Sequence, residues 1–284
     1  MKRTGYKNIA AGRINTLLRV LLFCMLCALI LVMGSALLKN WKNPWADLSL
    51  GAFAAVASFL LSIPFAKWEK LSLGQIGIVP GKATLSKMAI GFLIGLFIAS
   101  LHLSLVLIFG HISLINTPLS FKSVALSFLL YLILATREEI AFRGYALRSL
   151  SYRIGPWKAQ LIIAVIFALE HMAGGFTWQQ AFFGSGVGAA LFGLAALRNK
   201  GIALPIGLHA AWNFGQWCFG LKNIAGIWQV SAGEGFEEKN EQIIMICYLI
   251  VMGLAIAAFF LYPIRQTIKD LRRSGCNSLP LIRK

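Results

Sequence analysis

The sequence predicts an all-α polytopic membrane protein, with about eight transmembrane helices that form a bundle around a polar intramembrane cavity. The chain has 284 residues, of which 58% are hydrophobic and only 13% are charged. Soluble domains carry about 25% charged residues, so this chain has about half the usual fraction. Long apolar segments recur along its length, and about 20 apolar residues in a helix cross a bilayer.

Eight apolar segments are predicted as spans, and they form one integral membrane domain over residues 1–284. The first segment exceeds the apolar core of a signal peptide, so we interpret it as a retained helix. The small residues Gly34-Ser35-Ala36 leave cleavage there as an alternative. The fourth segment is apolar only as far as Ala135. The predicted limits are 16–38, 49–67, 88–110, 121–150, 158–174, 181–197, 203–219 and 242–262.

The net charge of +17 is distributed unevenly between the predicted loops. All but five of the 27 basic residues lie in alternate segments, namely the N-terminal arm, 67–87, 137–158, 198–200 and the C-terminal tail. The five exceptions are Lys39, Lys42, Lys122, Lys222 and Lys239. This asymmetry predicts a multi-pass protein of the plasma membrane with both termini in the cytoplasm. No basic stretch is interleaved with aromatics, so the bilayer is the expected partner and nucleic acid is excluded.

Small residues predict where helices pack closely. Gly91 and Gly95 are four residues apart, as are Gly184 and Gly188, and each pair lies on one helix face. Cys24-x-x-Cys27 lies inside the first apolar segment, where thiols behave as small hydrophobes.

The most informative motif is Glu138-Glu139-x-x-x-Arg143, at the polar end of the fourth segment. In a helix, Glu139 and Arg143 stand four residues apart and can pair. Glu138 lies about 100° further round the helix and remains free to act as a general base for water. The alternative is an interfacial cluster of ion pairs without catalytic work.

Two further motifs place imidazoles in apolar segments: Phe167-x-x-x-His171 and His209-x-x-x-Asn213. His209 and Asn213 share a helix face, so both can donate hydrogen bonds to a developing oxyanion. The alternative for both histidines is a hydrogen bond between helices. Phe167 is predicted to be a packing residue.

The depth of these residues predicts whether the motifs meet. Counted from the cytoplasmic ends of their helices, Glu138 and His171 both lie roughly 20 Å along the helix at 1.5 Å per residue. His209 and Asn213 lie roughly 12 and 18 Å along theirs. We therefore expect one catalytic cavity within the membrane, open towards the cytoplasmic side.

Together the three motifs, on consecutive apolar segments, resemble the signature of the CAAX prenyl endopeptidase and bacteriocin-processing (CPBP, or Abi) family of intramembrane proteases. The resemblance covers a catalytic core at about 121–219, and the segment from Lys70 to Lys82 resembles the amphipathic connection that precedes this core. It implies an eight-helix bundle with a conical cavity and hydrolysis of peptide bonds within the membrane.

The resemblance also implies roles for the motif residues. Glu138 is expected to activate water that His171 holds, and His209 and Asn213 are expected to stabilise the oxyanion. The supporting residues of the pattern are Glu139 and Arg143. The family has been labelled metalloprotease, but its chemistry can be read as glutamate-dependent, and we favour a reaction without a cofactor.

A zinc site remains an alternative, with Glu138, His171 and His209 as the three ligands and a fourth position open. The expected substrate is a membrane-associated peptide or protein, and the compact chain without a targeting signal indicates a bacterial protein. Two other functions stay open: a non-enzymatic factor, such as a bacteriocin self-immunity protein or membrane scaffold, and a proton-coupled transporter.

Overall fold

The computed structural model describes residues 3–41, 43, 45–199, 201–222 and 226–261, with side chains from residue 12 onward. All eight predicted spans are helical, which confirms the all-α polytopic bundle. In chain order the elements are α1 (Arg3–Leu38), α2 (Trp45–Trp68), α3 (Thr84–Phe109), β1 (Ile112–Asn116), α4 (Phe121–Glu138), the π-helical segment π1 (Glu139–Ala146), α5 (Leu147–Ile154), α6 (Pro156–Ala173), the π-helical segment π2 (Gln180–Gly186), α7 (Val187–Asn199), α8 (Ala203–Cys218), β2 (Trp228–Ala232) and α9 (Glu237–Leu261).

Within the described residues, five helices are long and apolar enough to cross a membrane. They are Gly12–Leu38, Trp45–Trp68, Thr84–Phe109, Gln180–Asn199 and Glu237–Leu261. The other three predicted spans carry the polar motifs. Their helices are shorter or interrupted by charge, and α8 has most of its residues buried. The chain is therefore a multi-pass membrane protein in which α8 is the most buried of the three polar spans.

The outer faces of the apolar helices are suited to lipid. Phe53 on α2, Phe97 on α3 and Leu254 on α9 are among many large apolar side chains with more than half of their surface exposed. Soluble monomers rarely expose continuous apolar surface on this scale. These faces therefore account for the low charge content of the chain.

Close packing of α3 on α8 fixes the helix that carries His209. A Cβ added to Gly91 would overlap the carbonyl oxygen of Leu204, and one added to Gly95 would overlap that of Leu208. From the opposite side, a Cβ on Gly207 would overlap a backbone oxygen of α3. The two backbones thus touch without side chains between them, as small-residue faces allow.

The second small-residue face behaves differently from the prediction. A Cβ on Gly188 would lie 3.3 Å from the Tyr248 hydroxyl, in tight packing against α9. A Cβ on Gly184 would meet no atom within 4 Å. The missing side chain of Gly184 is therefore not what allows the contact, although α9 does reach this residue, because the Tyr248 hydroxyl donates to the Gly184 carbonyl oxygen at 2.5 Å.

The fourth predicted span is not one continuous α-helix. After α4, the chain continues as the wide turns of π1, in which Gly144 has a non-helical ψ of −111°. A Cβ on Gly144 would lie 2.8 Å from Ile78 Cγ2, in the segment predicted as an amphipathic connection. All residues of π1 are buried. Such π-bulges are frequent at functional sites, and this one contains Glu139 and Arg143.

One antiparallel pair of strands was not predicted. In β1 and β2, Ile112 pairs with Ala232 and Asn116 pairs with Trp228. Both strands have only five residues and lie between long helices. They tie the connection after α3 to the connection after α8, at the end of the bundle opposite the turn between α7 and α8.

Two basic residues that the charge pattern assigned to a surface segment lie inside the bundle. Arg137 is 3% exposed and Arg143 is fully buried. Both contact the polar side chains of the candidate site described below, so neither contributes to the charge asymmetry between the two surfaces.

Part of the charge prediction concerns residues without a description here. Lys2, Lys42, Lys200, Cys276 and the six basic residues after 262 lie outside the described residues. The cytoplasmic position of both termini therefore stays a prediction.

Candidate active site

A buried cluster forms where π1 meets α8. One carboxylate oxygen of Glu139, Oε1, lies 2.9 Å from His209 Nδ1 and 3.3 Å from Arg143 Nη1. The side chains of Glu139 and Arg143 are fully buried, and that of His209 is 5% exposed. The predicted pairing of Glu139 with Arg143 is therefore confirmed. We call Glu139, Arg143 and His209 the buried cluster.

Aromatic rings and a carbonyl hold Arg143 in the buried cluster. Its guanidinium carbon lies 4.6 Å above the centre of the Phe167 ring, and Nη2 donates to the Ala189 carbonyl oxygen at 3.4 Å. Phe167 is 2% exposed and meets Phe142 edge to face. Phe167 therefore packs as predicted, and it also supports the cation electrostatically.

The orientation of His209 follows from its two neighbours. Its ring stacks on Phe192, with centroids 4.2 Å apart and planes inclined by 15°. Because an ionised carboxylate only accepts hydrogen bonds, Nδ1 carries the hydrogen that Glu139 receives. Nε2 then points towards Glu138, with 3.7 Å between Nε2 and Glu138 Oε2.

Glu138 differs from Glu139 in both contacts and exposure. Its side chain is 17% exposed, and its Oε1 lies 3.6 Å from Arg137 Nη1. Both this distance and the 3.7 Å to His209 are longer than a hydrogen bond between charged groups, about 2.7–2.9 Å. The carboxylate of Glu138 thus lies beside a guanidinium and an imidazole without a short bond to either, and part of it is exposed.

His171 lies near Glu138 but is not bonded to it. Its Nδ1 is 2.9 Å from the Phe167 carbonyl oxygen, which can only accept, so Nδ1 is the donor. In the neutral ring, Nε2 is then an acceptor. His209, Arg137, His171 and Arg143 all act electrostatically on Glu138. The structure thus brings His171 into the field of the carboxylate.

Asn213 lies one helical turn after His209 on α8, on the same face as predicted. Its Oδ1 accepts a hydrogen bond from Lys222 Nζ at 3.1 Å. Asn213, His171 and Lys222 are all partly exposed, in contrast to the buried cluster. We call Glu138, His171, Asn213 and Lys222 the accessible group.

Two further charged residues join the helices that carry Glu138 and His171. Arg137, at the end of α4, forms an ion pair with Glu170 on α6 and also faces Glu138. The sequence marked both residues as charges beside the motifs but assigned them no role. Their signal was adjacency, because Arg137 precedes Glu138 and Glu170 precedes His171 in otherwise apolar segments.

The zinc alternative needs three ligands that converge on one point. Among the described residues, no group of three His, Cys, Asp or Glu side chains is arranged to hold a metal ion. The Nδ1 atoms of His171 and His209 contact a backbone carbonyl and Glu139, which leaves both Nε2 atoms to be considered as ligands. The described side chains do not converge on a metal position, so the zinc site stays an untested alternative and no step below uses a metal.

Comparison with known families addresses the central part of the chain. Residues 120–215 match the family model described as type II CAAX prenyl endopeptidase Rce1-like. No curated protein matches the chain. The matched segment starts one residue before α4 and ends within α8, so it contains all three motifs. The resemblance to the CAAX prenyl endopeptidase family is therefore confirmed for residues 120–215, the segment that carries both the buried cluster and the motif residues of the accessible group.

Proposed function

We propose that this protein is an intramembrane endopeptidase in which Glu138 is the general base. The family match over residues 120–215 supports an endopeptidase of this general class. The observation that carries the assignment is the difference between two adjacent carboxylates. Glu139 is fully buried and bonded, whereas Glu138 is 17% exposed and lies beside an imidazole and a guanidinium.

The first step forms the bond between water oxygen and the scissile carbonyl carbon. Water lies between Glu138 and the free Nε2 of His171 and gives one proton to Glu138 as its oxygen attacks. Two electrons of the carbonyl move to its oxygen, which becomes an oxyanion. General-base catalysis of this kind contributes about 10²–10⁴-fold to the rate.

His209 and Asn213 stabilise this oxyanion by donating hydrogen bonds to it. Both lie on one face of α8, and the ring of His209 is held by Glu139 and Phe192. As an imidazolium, His209 donates from Nδ1 to Glu139 and from Nε2 to the oxyanion. The amide of Asn213 adds a second donor. Preorganised donors of this type are worth about 10²–10³-fold each.

The second step breaks the carbon–nitrogen bond. The oxyanion reforms the carbonyl, the bonding electrons leave with nitrogen, and Glu138 returns its proton to that nitrogen. The products are a carboxylic acid and an amine, and Glu138 is a carboxylate again. The proton balance closes without any group beyond water, Glu138 and the peptide.

The substrate we propose is a membrane-associated peptide or protein. The apolar outer faces of the bundle support this substrate class, because a membrane-bound segment would reach a site between lipid-facing helices more readily than a soluble one. Prenylated peptides with a C-terminal CaaX box are the class in the family description. Bacteriocin leaders, peptide pheromones and membrane proteins are the other classes.

For the protein's location we propose the plasma membrane, with both termini in the cytoplasm. The charge asymmetry of the loops supports this orientation. Fusions of alkaline phosphatase and of green fluorescent protein after residues 117 and 222 test it. Phosphatase activity without fluorescence at both positions is expected, and the reverse pattern would invert the topology.

The test of the proposed activity compares the membrane peptidomes of cells with the wild-type chain and with Glu138→Gln. Peptides cut only in wild-type cells identify substrates, and an internally quenched peptide built on one of them gives rates for the purified protein. Glu238→Gln is the matched control, because Glu238 is an exposed glutamate in the first turn of α9 and belongs to none of the three motifs. Full cleavage by Glu138→Gln would refute the assignment.

The same variants separate the enzyme from a non-enzymatic factor. If a strain that lacks the protein shows a phenotype, restoration by Glu138→Gln and His171→Ala would favour an immunity factor or scaffold. Restoration only by wild type and Glu238→Gln is the result expected of a protease.

A further inference from the structure

Lys222 reaches the candidate site from a connection that the motifs do not include. It follows α8 and is one of the five basic residues outside the predicted cytoplasmic segments. Its Nζ donates to Asn213 Oδ1 at 3.1 Å and lies 4.9 Å from the centre of the Tyr131 ring. A hydrogen bond and a cation–π contact thus hold the ammonium at the end of α8.

The hydrogen bond settles which way the Asn213 amide points. An ammonium has three donors and no acceptor, so only the amide oxygen can face it. The Nδ2 group of Asn213 must then point away from Lys222. Within the described part of the chain, no protein acceptor is bonded to Nδ2, so both of its hydrogens are available to a substrate.

Lys222 lies among acidic residues at the end of α8. It lines a cavity of about 380 Å³ together with Glu237 and Glu241 of α9. From α4, the Tyr131 ring contacts the Lys222 ammonium and Glu138 acts on it electrostatically. Burial lowers the pKa of Lys222 to about 8, and the negative charge of Glu138 opposes this effect. The ammonium is therefore present below about pH 8 and is lost above it.

We propose that Lys222 is a positioning residue that orients Asn213 to donate to the oxyanion. This inference rests on the proposed protease function and adds a residue outside the three motifs. Without the ammonium, the amide of Asn213 can rotate and present its oxygen, which would repel an oxyanion. The role needs a donor at Nζ and a positive charge, but no contact between Lys222 and the reacting atoms.

A double-mutant cycle tests whether Lys222 acts through Asn213. The variants are Lys222→Met, Asn213→Ala and the double variant, assayed with a quenched peptide that wild type cuts and Glu138→Gln leaves intact. We expect Lys222→Met to lower kcat about 10-fold or more, below the roughly 10²–10³-fold of a direct oxyanion donor, with KM changed less than about 2-fold. The double variant should be no slower than Asn213→Ala alone.

The pH profile gives a readout that a purely structural lysine would not move. In wild type, kcat/KM should fall as the pH rises through about 8, because the ammonium loses its charge. In Lys222→Arg the guanidinium stays charged, so the pH at which kcat/KM falls should rise by more than one unit. The arginine variant should also retain more of kcat than Lys222→Met.

Controls keep the outcomes separate. Lys239→Met removes an exposed lysine that lies over Phe236 and should leave kcat unchanged. Size-exclusion profiles and thermal melts exclude misfolded variants. Wild-type kcat in Lys222→Met, or an equal further loss in the Asn213→Ala background, would overturn the role of Lys222. Cleavage by Glu138→Gln would instead overturn the protease assignment.

Discussion

Glu138 and Glu139 are neighbours in the chain but belong to opposite halves of the site. In the buried cluster, Glu139 accepts from His209 at 2.9 Å and faces Arg143 at 3.3 Å, with no exposed surface. In the accessible group, Glu138 keeps 17% of its side chain exposed, with Arg137 Nη1 at 3.6 Å and His209 Nε2 at 3.7 Å. The side chains of the buried cluster contact one another and are shielded from solvent, whereas Glu138 in the accessible group keeps exposed surface for water and substrate.

The difference shows how a membrane protein can keep a reactive carboxylate. A charge removed from water needs partners, and the loss of one partner of a buried pair costs about 3–5 kcal/mol. In the buried cluster, Glu139 Oε1 meets both Arg143 and His209 and thereby fixes the His209 ring, while Glu139 Oε2 and Arg143 Nε have no hydrogen-bond partner among the described residues. Glu138 can then remain loosely held, because the rigid cluster beside it defines the geometry.

The largest expected effect separates the two carboxylates by activity. Glu138→Gln should lower kcat by about 10³-fold or more while the melting temperature stays within a few degrees, because Glu138 makes no short bond in the folded protein. Cleavage of the quenched peptide and thermal melts in detergent measure the two quantities.

Glu139→Gln supplies the opposite pattern for that comparison. It should lower the melting temperature clearly, since it leaves Arg143 buried without its carboxylate. If Glu139→Gln melts like wild type while Glu138→Gln is unstable, the assignment of structural and catalytic roles is reversed.

The second prediction addresses the stability of the buried cluster. Arg143→Met should reduce the free energy of unfolding by about 3–5 kcal/mol, because it removes the cation that faces the fully buried Glu139 side chain. Denaturant unfolding in micelles measures this loss. Arg143→Lys should recover little of it, because one ammonium cannot replace a planar group that stacks on Phe167 and reaches the Ala189 carbonyl.

Exposed arginine provides the matched control for that stability measurement. Arg153 is half exposed and lies 3.5 Å from Glu69, which keeps Arg19 at 2.9 Å as a closer partner. Arg153→Met should change the free energy of unfolding by less than about 1 kcal/mol. Equal losses of unfolding free energy in the two arginine variants would show that the buried cluster contributes no more to stability than an exposed ion pair.

Much of the fold could be predicted because membrane burial leaves a strong signal in the sequence. Each apolar segment is a helix, and the spacing of Gly91 and Gly95 predicted a close helix contact, which the structure shows to be with α8. The interruption at π1 could not be predicted, because it depends on Gly144 meeting Ile78 from a distant segment. The five-residue strands likewise depend on pairing between connections far apart in sequence.

The site was predictable to the extent that its residues stand inside apolar segments. The spacing of Glu139 and Arg143 predicted their pairing. By contrast, the loop position of Lys222 gave no sign that it turns back onto Asn213. The partner of Arg137 was equally hidden, because the ion pair with Glu170 depends on how α4 and α6 face each other.

The third prediction tests the link between the two helices of the accessible group. Glu170→Gln should lower kcat about 10-fold, because Arg137 then moves closer to Glu138 and His171 loses its fixed distance from that carboxylate. Arg137→Glu alone should be more harmful, since it puts a second carboxylate beside Glu138. The combined exchange Arg137→Glu with Glu170→Arg should recover part of the activity, because it restores the ion pair with the two charges exchanged. An exchange variant as slow as Arg137→Glu alone would argue against a positioning role for the pair.

The smallest expected effect is that of removing metal ions, whose proposed ligands come from both the buried cluster and the accessible group. A zinc ion would need Glu138, His171 and His209 together, but among the described residues no three such side chains are arranged to hold a metal ion. We therefore expect prolonged dialysis against EDTA or 1,10-phenanthroline to leave kcat/KM within about 2-fold of the untreated protein, with metal content followed by mass spectrometry. A loss that added zinc restores, but magnesium does not, would require Glu138 to be a ligand instead of a free base. Glu138→Gln would then lose zinc as well as activity, and the separation between a closed half and a reactive half would no longer describe the site.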